Sequence, residues 1–450
     1  MTIRRALLTL LFTLPAFAQF NGSTPAGDAS ATPLNLTLDE AIARGLKTNL
    51  GLLSRDNSSQ LARVDRIRLL AALLPTLDAG VSMTESQVSL KTFGFHINNV
   101  PTIIGPFHYQ DAGASAHIPV YDPRALNALR ARNEALKAAE LSAKDARDLV
   151  VQAVAAAYLQ IIATSARVDA TRVQVTTAQA LYERARDQHT AGTSPAIDEL
   201  RAQVELKTQQ QILLALENQR AKDKLSLARA IGLPSGQVFE ISDKAPYKPL
   251  EGLTPEAALA KAYAARADYQ SAQANVRAAE RAKESVMREW LPTASINANY
   301  DLVGTTLDQS HGTFSLSGSV KMNVFDGGRR KADILERDTD LKQRKEELAN
   351  LQGQIDQEVR ASLLDLNSAA DQVSVAGSNL DLAKQTLTQA RDRFAAGVTD
   401  NIEVVQAQQS VSNAEQNLIS SIYAHNLAKV ALARALGAAE TNLKTFIGGD

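Results

Sequence analysis

The chain has 450 residues, a formal net charge of −1 and a pI near 6.6, so it carries no basic footprint for a nucleic-acid partner. It has no cysteine, which excludes disulfides and leaves no thiol for N-terminal lipidation; its six histidines show no ligand-like spacing. Abundant Ala, Leu and Gln with only 5% aromatic residues favour long helices over a large compact core.

The first residues read as an address. Arg4-Arg5 precede an apolar run from Ala6 to Leu14, and Ala16-Phe17-Ala18 offers a small-x-small cleavage site, so 1–18 is expected to be a signal peptide and the mature chain to start at Gln19. The run is too short for a spanning anchor, and no later run is expected to be long enough for a transmembrane helix. Residues 19–36, rich in Asn, Gly, Ser, Thr, Ala and Pro, read as a flexible leader.

Thr37 caps an expected helix running to about Leu74, where Pro75 stops it. The period then changes to two: Leu77, Ala79, Val81 and Met83 alternate with Asp78, Gly80 and Ser82, and after a loop containing Gly105-Pro106 the alternation resumes from Ala112 through Ile118 to Val120. This predicts strands at about 76–90 and 108–121. Pro123 opens a run free of Gly and Pro to Ala191, which at the usual helical rise makes a rod of about 100 Å. Gly192 marks a reversal, and a shorter helix returns from about Pro195 to Ile231.

The plan then repeats. RDQHTAGTSPAIDELRAQ at 186–203 and RDRFAAGVTDNIEVVQAQ at 391–408 share one register, with Gly397 lying 205 residues after Gly192. The segments are a first repeat at 37–233, a Pro/Gly-broken connector at 234–253, a second repeat at 254–437 and a tail at 438–450. The second repeat opens at Thr254, stops its first helix at Leu291-Pro292, alternates at about 293–303 and 313–325, and enters a long helix from Arg329 to Ala396. Gly353 and Gly377 inside that helix suggest bends or close packing.

Four alternating strands suit a transmembrane β-barrel, with Leu77, Val81, Ile118, Ile296, Phe314, Leu316 and Val320 toward lipid and Asn297, Asn299, Ser317 and Lys321 toward water. Four strands cannot close a barrel, and bare strand edges cannot sit in hydrocarbon, so this reading requires an oligomer. The alanine-rich rods likewise gain from packing side by side around a ring as coiled coils.

These features, namely the duplicated tips AGTSPAIDELRAQ and AGVTDNIEVVQAQ, the Leu-Pro entries at 74–75 and 291–292 and the Val-Phe-Asp-Gly exit at 324–327, together resemble the TolC-like outer-membrane efflux protein family over essentially the whole mature chain. The resemblance implies a mainly α protein with a transmembrane β-barrel: a homotrimer with twelve strands in the outer membrane, four from each chain, and an α-barrel tunnel through the periplasm. It implies a periplasmic adaptor (membrane fusion) protein and an inner-membrane transporter as partners, and passive export from a tripartite efflux or type I secretion assembly. By the same resemblance Asp198 and Glu403, each six residues after its tip glycine, line the periplasmic gate. Gly192, Thr193, Ser194, Gly397, Val398, Thr399 and Asp400 form adaptor-docking tips. Gln406 departs from the pattern, since some members carry another acid there.

No Ser-His-Asp pattern, metal-ligand cluster or phosphate-binding glycine loop stands out, so neither catalysis nor a cofactor is expected. The competing reading is an exported coiled-coil structural or adhesion protein without a pore.

Overall fold

The computed structural model describes residues 22–30, 32–94, 100–243, 247–250, 252–396, 398 and 401–447. The expected signal peptide lies outside them, as do Gly397, Thr399 and Asp400. Two compact units interleave segments of both repeats: one takes 1–58, 140–270 and 350–450, the other 59–139 and 271–349.

The second of these units holds a four-stranded antiparallel sheet of β2 (Thr76–Ser89), β3 (Ile103–Tyr121), β5 (Thr293–Gly304) and β6 (His311–Lys321), in the order β2-β3-β5-β6. Each repeat supplies one hairpin, and β3 pairs with β5 to join them. Gly105-Pro106, expected in a loop, lies inside β3. The β2–β3 register slips there between Ser86 and Val88, so the missing N–H of Pro106 breaks no regular ladder bond. Gly312 makes room for Tyr300, whose Oη would stand 2.5 Å from a Cβ added at that position.

In the other unit, the first helix of each repeat is broken where one continuous helix was expected. α1 (Leu38–Thr48) gives way to α2 (Leu50–Ala71) at Asn49, and α5 (Pro255–Ala265) to α6 (Ala267–Met287) at Arg266. Both breaking residues take extended backbone and both are buried. Asn49 ends α1 through its N–H to Gly45 O at 2.9 Å, and its Oδ1 accepts from Gly51 N at 2.9 Å, capping α2. Arg266, which follows Asn49 by the same 217 residues that separate Thr254 from Thr37, uses charge instead. Its guanidinium donates to both oxygens of Asp268, at 3.0 and 2.6 Å, and to Glu358 at 2.6 Å. Burial works against its charge, but these bonds hold Arg266 above its usual range and bring Asp268 below its own.

The long helices are α3 (Pro123–Thr190) and α7 (Arg329–Ala395), followed by α4 (Ala196–Ala230) and α8 (Asn401–Ala435). Contrary to expectation, α3 contains a run long and apolar enough to cross a membrane by composition. That run's apolarity serves packing. Val150, Val154, Tyr158 and Ile161 are buried with Leu36, Leu52, Leu227 and Ile231, while Val151, Ala155 and Leu159 meet Val430 and Ala433 of α8. Neither Gly353 nor Gly377 interrupts α7, and a Cβ at either would meet nothing within 4 Å, so no contact within the chain requires them.

The leader is not free where it is described. Leu50 N donates to Gly22 O at 2.9 Å, Thr24 N to Thr48 O at 3.0 Å and Ala26 N to Gly232 O at 3.1 Å. β1 (Leu34–Leu36) then pairs in parallel with β4 (Phe239–Ile241) of the connector. The tail also folds: α9 (Ala439–Ile447) buries Leu443 against α3 and α8. Arg147 grips the Glu440 carboxylate, and Glu440 N donates to Asp148 at 2.8 Å. Nearby, the half-buried Asp145 faces Arg434 at 2.6 Å. Burial pushes its carboxyl up to about 6; Arg434 pulls it down, Asp268 pushes it up, and Arg266 and Asp148 act more weakly in opposite senses.

Candidate functional site

The reversal after α3 is built by backbone. Gly192 has φ 72°, its N–H donates to His189 O at 2.9 Å, and Thr193 N reaches Gln188 O at 2.9 Å, the paired bonds of a Schellman stop. Thr193 Oγ1 caps the same carbonyl at 2.9 Å. Thr193 is exposed, while Ser194 is half-buried with its Oγ unpartnered. The second tip repeats one of these bonds, Val398 N to Arg393 O at 3.0 Å, and Val398 is 67% exposed. Of the other expected docking residues, Gly397, Thr399 and Asp400 lie outside the described residues.

Asp198 and Glu403 each stand in the first turn of the returning helix, α4 or α8. No hydrogen bond or ion pair joins them among the described residues. Each has an arginine instead: Arg201 stands 3.6 Å from Asp198, and Arg393 stands 3.5 Å from Glu403 across the tip. Such partly exposed pairs contribute little stability, but they offset the negative charge locally.

Beside the acids runs a feature that tip-motif reading missed, a groove of about 530 Å³ between the starts of α4 and α8. Ile197, Leu200 and Val204 face Ile402 and Val405 there, and the pairs Ile197/Ile402 and Leu200/Val405 are equivalent positions of the two repeats. Apolar residues at three- and four-residue spacing directly after the tip were the available signal. Deeper in the same unit, Leu380, Ala383, Leu387 and Ala390 of α7 meet Val404, Ala407, Val411 and Ala414 of α8. The three-four-three spacing on both helices is a coiled-coil seam. A line of polar contacts joins α3 to α8: Arg167 to Ser420 at 2.7 Å, Gln416 to Thr171 at 3.3 Å and Gln174 to Glu415 at 2.8 Å. The buried Gln408 donates to Gln174 and accepts from Arg391 at 3.2 Å.

In the sheet, the register collects one kind of residue on each face. Leu77 pairs with Ala116, Val81 with Ala112, Ile118 with Ile296, Ala298 with Leu316, Tyr300 with Phe314 and Ala294 with Val320. Directly opposed residues share a face, so all seven positions expected to meet lipid lie on one side. Leu77, Val81, Phe314, Leu316 and Val320 are 70–82% exposed there; Ile118 and Ile296 are less open. The opposite face carries Asn297, Asn299, Ser317 and Lys321, with His117 Nδ1 2.7 Å from Asn297 Oδ1 and Ser295 bonded to Ser319 at 3.0 Å. The outer edges of β2 and β6 have no partner strand among the described residues.

A family model described as outer membrane efflux protein matches residues 56–233 and 258–438, one match to each repeat and well over half of the chain together. The chain is 23% identical over 414 residues to the pyoverdine export outer membrane protein OpmQ of Pseudomonas aeruginosa, covering 89% of this chain and 85% of that protein. Among solved structures, the outer membrane protein VceC of Vibrio cholerae superposes with a TM-score of 0.76 at 18% identity, covering 89% of this chain and 96% of VceC. The CmeC outer membrane channel of Campylobacter jejuni superposes with a TM-score of 0.78 at 14% identity, covering 99% and 97%.

Proposed function

The chain belongs to the outer membrane efflux protein family, and from that premise we propose that it is a passive export duct across periplasm and outer membrane. It acts as a homotrimer. Three copies of the sheet join β6 of one chain to β2 of the next and close a twelve-stranded barrel with its polar face around water. A periplasmic adaptor protein and an inner-membrane transporter load it, as in tripartite efflux or type I secretion assemblies.

The observation that carries this reading is the open sheet with one exposed apolar face and two bare edges. Apolar side chains at this exposure favour a lipid environment, and unpaired edges are tolerated in hydrocarbon only if another chain covers them. Asp198 and Glu403 line the periplasmic entrance, with Arg201 and Arg393 tempering their charge. The tip residues Gly192, Thr193, Ser194 and Val398, with Gly397, Thr399 and Asp400, meet the adaptor. No step calls for a bond-making residue, since the transporter supplies the energy.

The test is light scattering of the purified mature chain in mild detergent, combined with conductance across planar bilayers. A mass of three chains and discrete ion-conducting steps are expected. A monomer without conductance overturns the proposal in favour of a pore-free exported protein.

A further inference from the structure

Charge is unevenly spread along this nearly neutral chain. The stretches 59–75, 123–139, 271–291 and 326–349 hold the helices of the unit that carries the sheet, and they count 18 Lys or Arg against 12 Asp or Glu. That is a net +6 within a chain whose total is −1. Contacts between the helices set their order. Arg66 Nε of α2 donates to Asn133 Oδ1 of α3 at 2.7 Å, and Arg277 of α6 donates to Glu134 of α3 at 2.8 Å. Lys283 of α6 donates to Asp338 of α7 at 2.6 Å. The wall therefore runs α2-α3-α6-α7.

One side of this wall is hollowed into a groove of about 500 Å³, a size that suits a small organic molecule. Ala128, Ala131 and Ala135 of α3, with Ala278, Ala279 and Ala282 of α6, make its floor, so nothing beyond a Cβ fills the space there. Leu69 of α2 flanks it on one side and α7 on the other. Four guanidinium groups border it, from Arg124, Arg132, Arg337 and Arg344, against the single carboxylate of Asp340. Arg344 is balanced by Glu347 at 2.9 Å and Asp340 at 3.5 Å, and Arg337 lies 3.4 Å from Glu336. The other two are not balanced. Arg124 shares Glu289 with Arg329, at 2.9 and 2.6 Å, so two cations divide one carboxylate. Arg132 is exposed and has no ion pair or hydrogen bond among the described residues.

A wall whose middle helices form the floor and whose outer helices form the flanks is concave on that side. When such walls close into a ring, the concave side is the inside. A cleft bordered by one sign of charge concentrates ions of the other sign, and guanidinium groups both pair with oxyanions and stack on flat rings. We propose that this groove is a lumenal contact site for exported cargo, and that the cargo it favours is an organic anion with a flat apolar body. The oxyanion meets Arg132 and Arg124, and the body lies on the alanine floor. The inference rests on the reading that three copies close a ring, and it adds the chemistry of what passes through.

The full mature protein is inserted in planar bilayers, and naphthalene-2-sulfonate is added to both sides while potassium chloride current is recorded. Two probes serve as controls: 2-naphthylmethylammonium has the ring with the opposite charge, and inorganic sulfate has the charge without a ring. The sulfonate is expected to block at a concentration at least about tenfold below that of the ammonium, and sulfate is expected not to block. Arg132→Gln with Arg124→Gln should raise the blocking concentration at least about fivefold, whereas Arg132→Lys with Arg124→Lys should stay within about threefold of the parent. Ala282→Leu, which fills the floor, should weaken the sulfonate and leave sulfate without effect. Light scattering checks that each variant is still a trimer. If the Gln pair does not assemble, Arg132→Gln alone, which breaks no contact, should still raise the blocking concentration about threefold. In a channel that conducts, absence of block by the sulfonate, or equal block by sulfonate and ammonium, overturns the cargo assignment and leaves the duct standing. Unchanged block in the Gln variants overturns the role of the two arginines. A protein that never conducts removes the duct and this inference with it.

Discussion

Apolar side chains meet opposite fates in the sheet and in the α7–α8 hairpin. Val404, Val411 and Leu387 are 1%, 4% and 8% exposed in the coiled-coil seam, whereas Leu77, Val81 and Phe314 are 77%, 81% and 82% exposed in the sheet. Along this seam the apolar side chains of α7 and α8 cover one another, although Leu364, Val375 and Leu382 on other faces of α7 stay exposed. Among the described residues, the apolar face of the sheet has no such partner. The same residue types therefore state different requirements: in the helices they hold the fold together, and in the sheet they specify what must surround it.

The largest effect is expected at Leu316. Leu316→Arg should cost roughly 2–4 kcal/mol of membrane stability if the residue lies near the midplane, and should visibly impair insertion in outer-membrane fractions. Ser317→Arg, one residue along and on the polar face, should insert nearly normally. Equal damage from both would mean that the two faces do not differ in environment.

A second effect tests burial in the helical unit. Asp145 has a folded-state value raised to about 6, above its ordinary 3.8, so the folded chain binds its proton more tightly than the unfolded chain does. Its contribution is fully present below about pH 4 and is lost as pH rises through about 6. Asp145→Asn removes this dependence. Relative to the parent, the variant should gain on the order of 3 kcal/mol between pH 4 and pH 7, read from denaturant unfolding of the helices in detergent. A difference that stays flat over this range would show that water reaches the carboxyl.

The smallest effect is expected at the tips. Because Arg201 and Arg393 already offset Asp198 and Glu403, the double change Asp198→Asn with Glu403→Gln should lower cation preference in planar bilayers by only about twofold at physiological salt. Conductance and ion preference identical to the parent would reduce these acids to helix-start residues and place the gate elsewhere.

What could be read in advance followed from how local each signal is. Alternation over Leu77 to Met83 and over Phe314 to Val320 has period two in consecutive residues, so the strands were visible without any partner. Gly192 marks its own turn because few other residues take its backbone angle at low cost. The breaks at Asn49 and Arg266 were hidden, since an asparagine or arginine inside a helical run looks the same whether it faces water or is buried as a cap. The leader's attachment was hidden for a different reason: it is made by backbone groups of Gly22, Thr24 and Ala26, which composition does not register. Gln174 and Gln408 lie 234 residues apart, and nothing near either one announces the other.

A closed barrel requires the bare edges of β2 and β6 to pair between neighbouring chains. The chain is naturally free of cysteine, so one cysteine at Ser82 in β2 and one at Thr313, Ser315, Ser317 or Ser319 in β6 can form disulfides between neighbouring chains only where the edges pair closely. At one of these registers, oxidation of the membrane-inserted protein should produce a reducible ladder that ends at three chains. Failure to cross-link at every register, in protein that scatters light as a monomer, would contradict the closed barrel and the duct built on it.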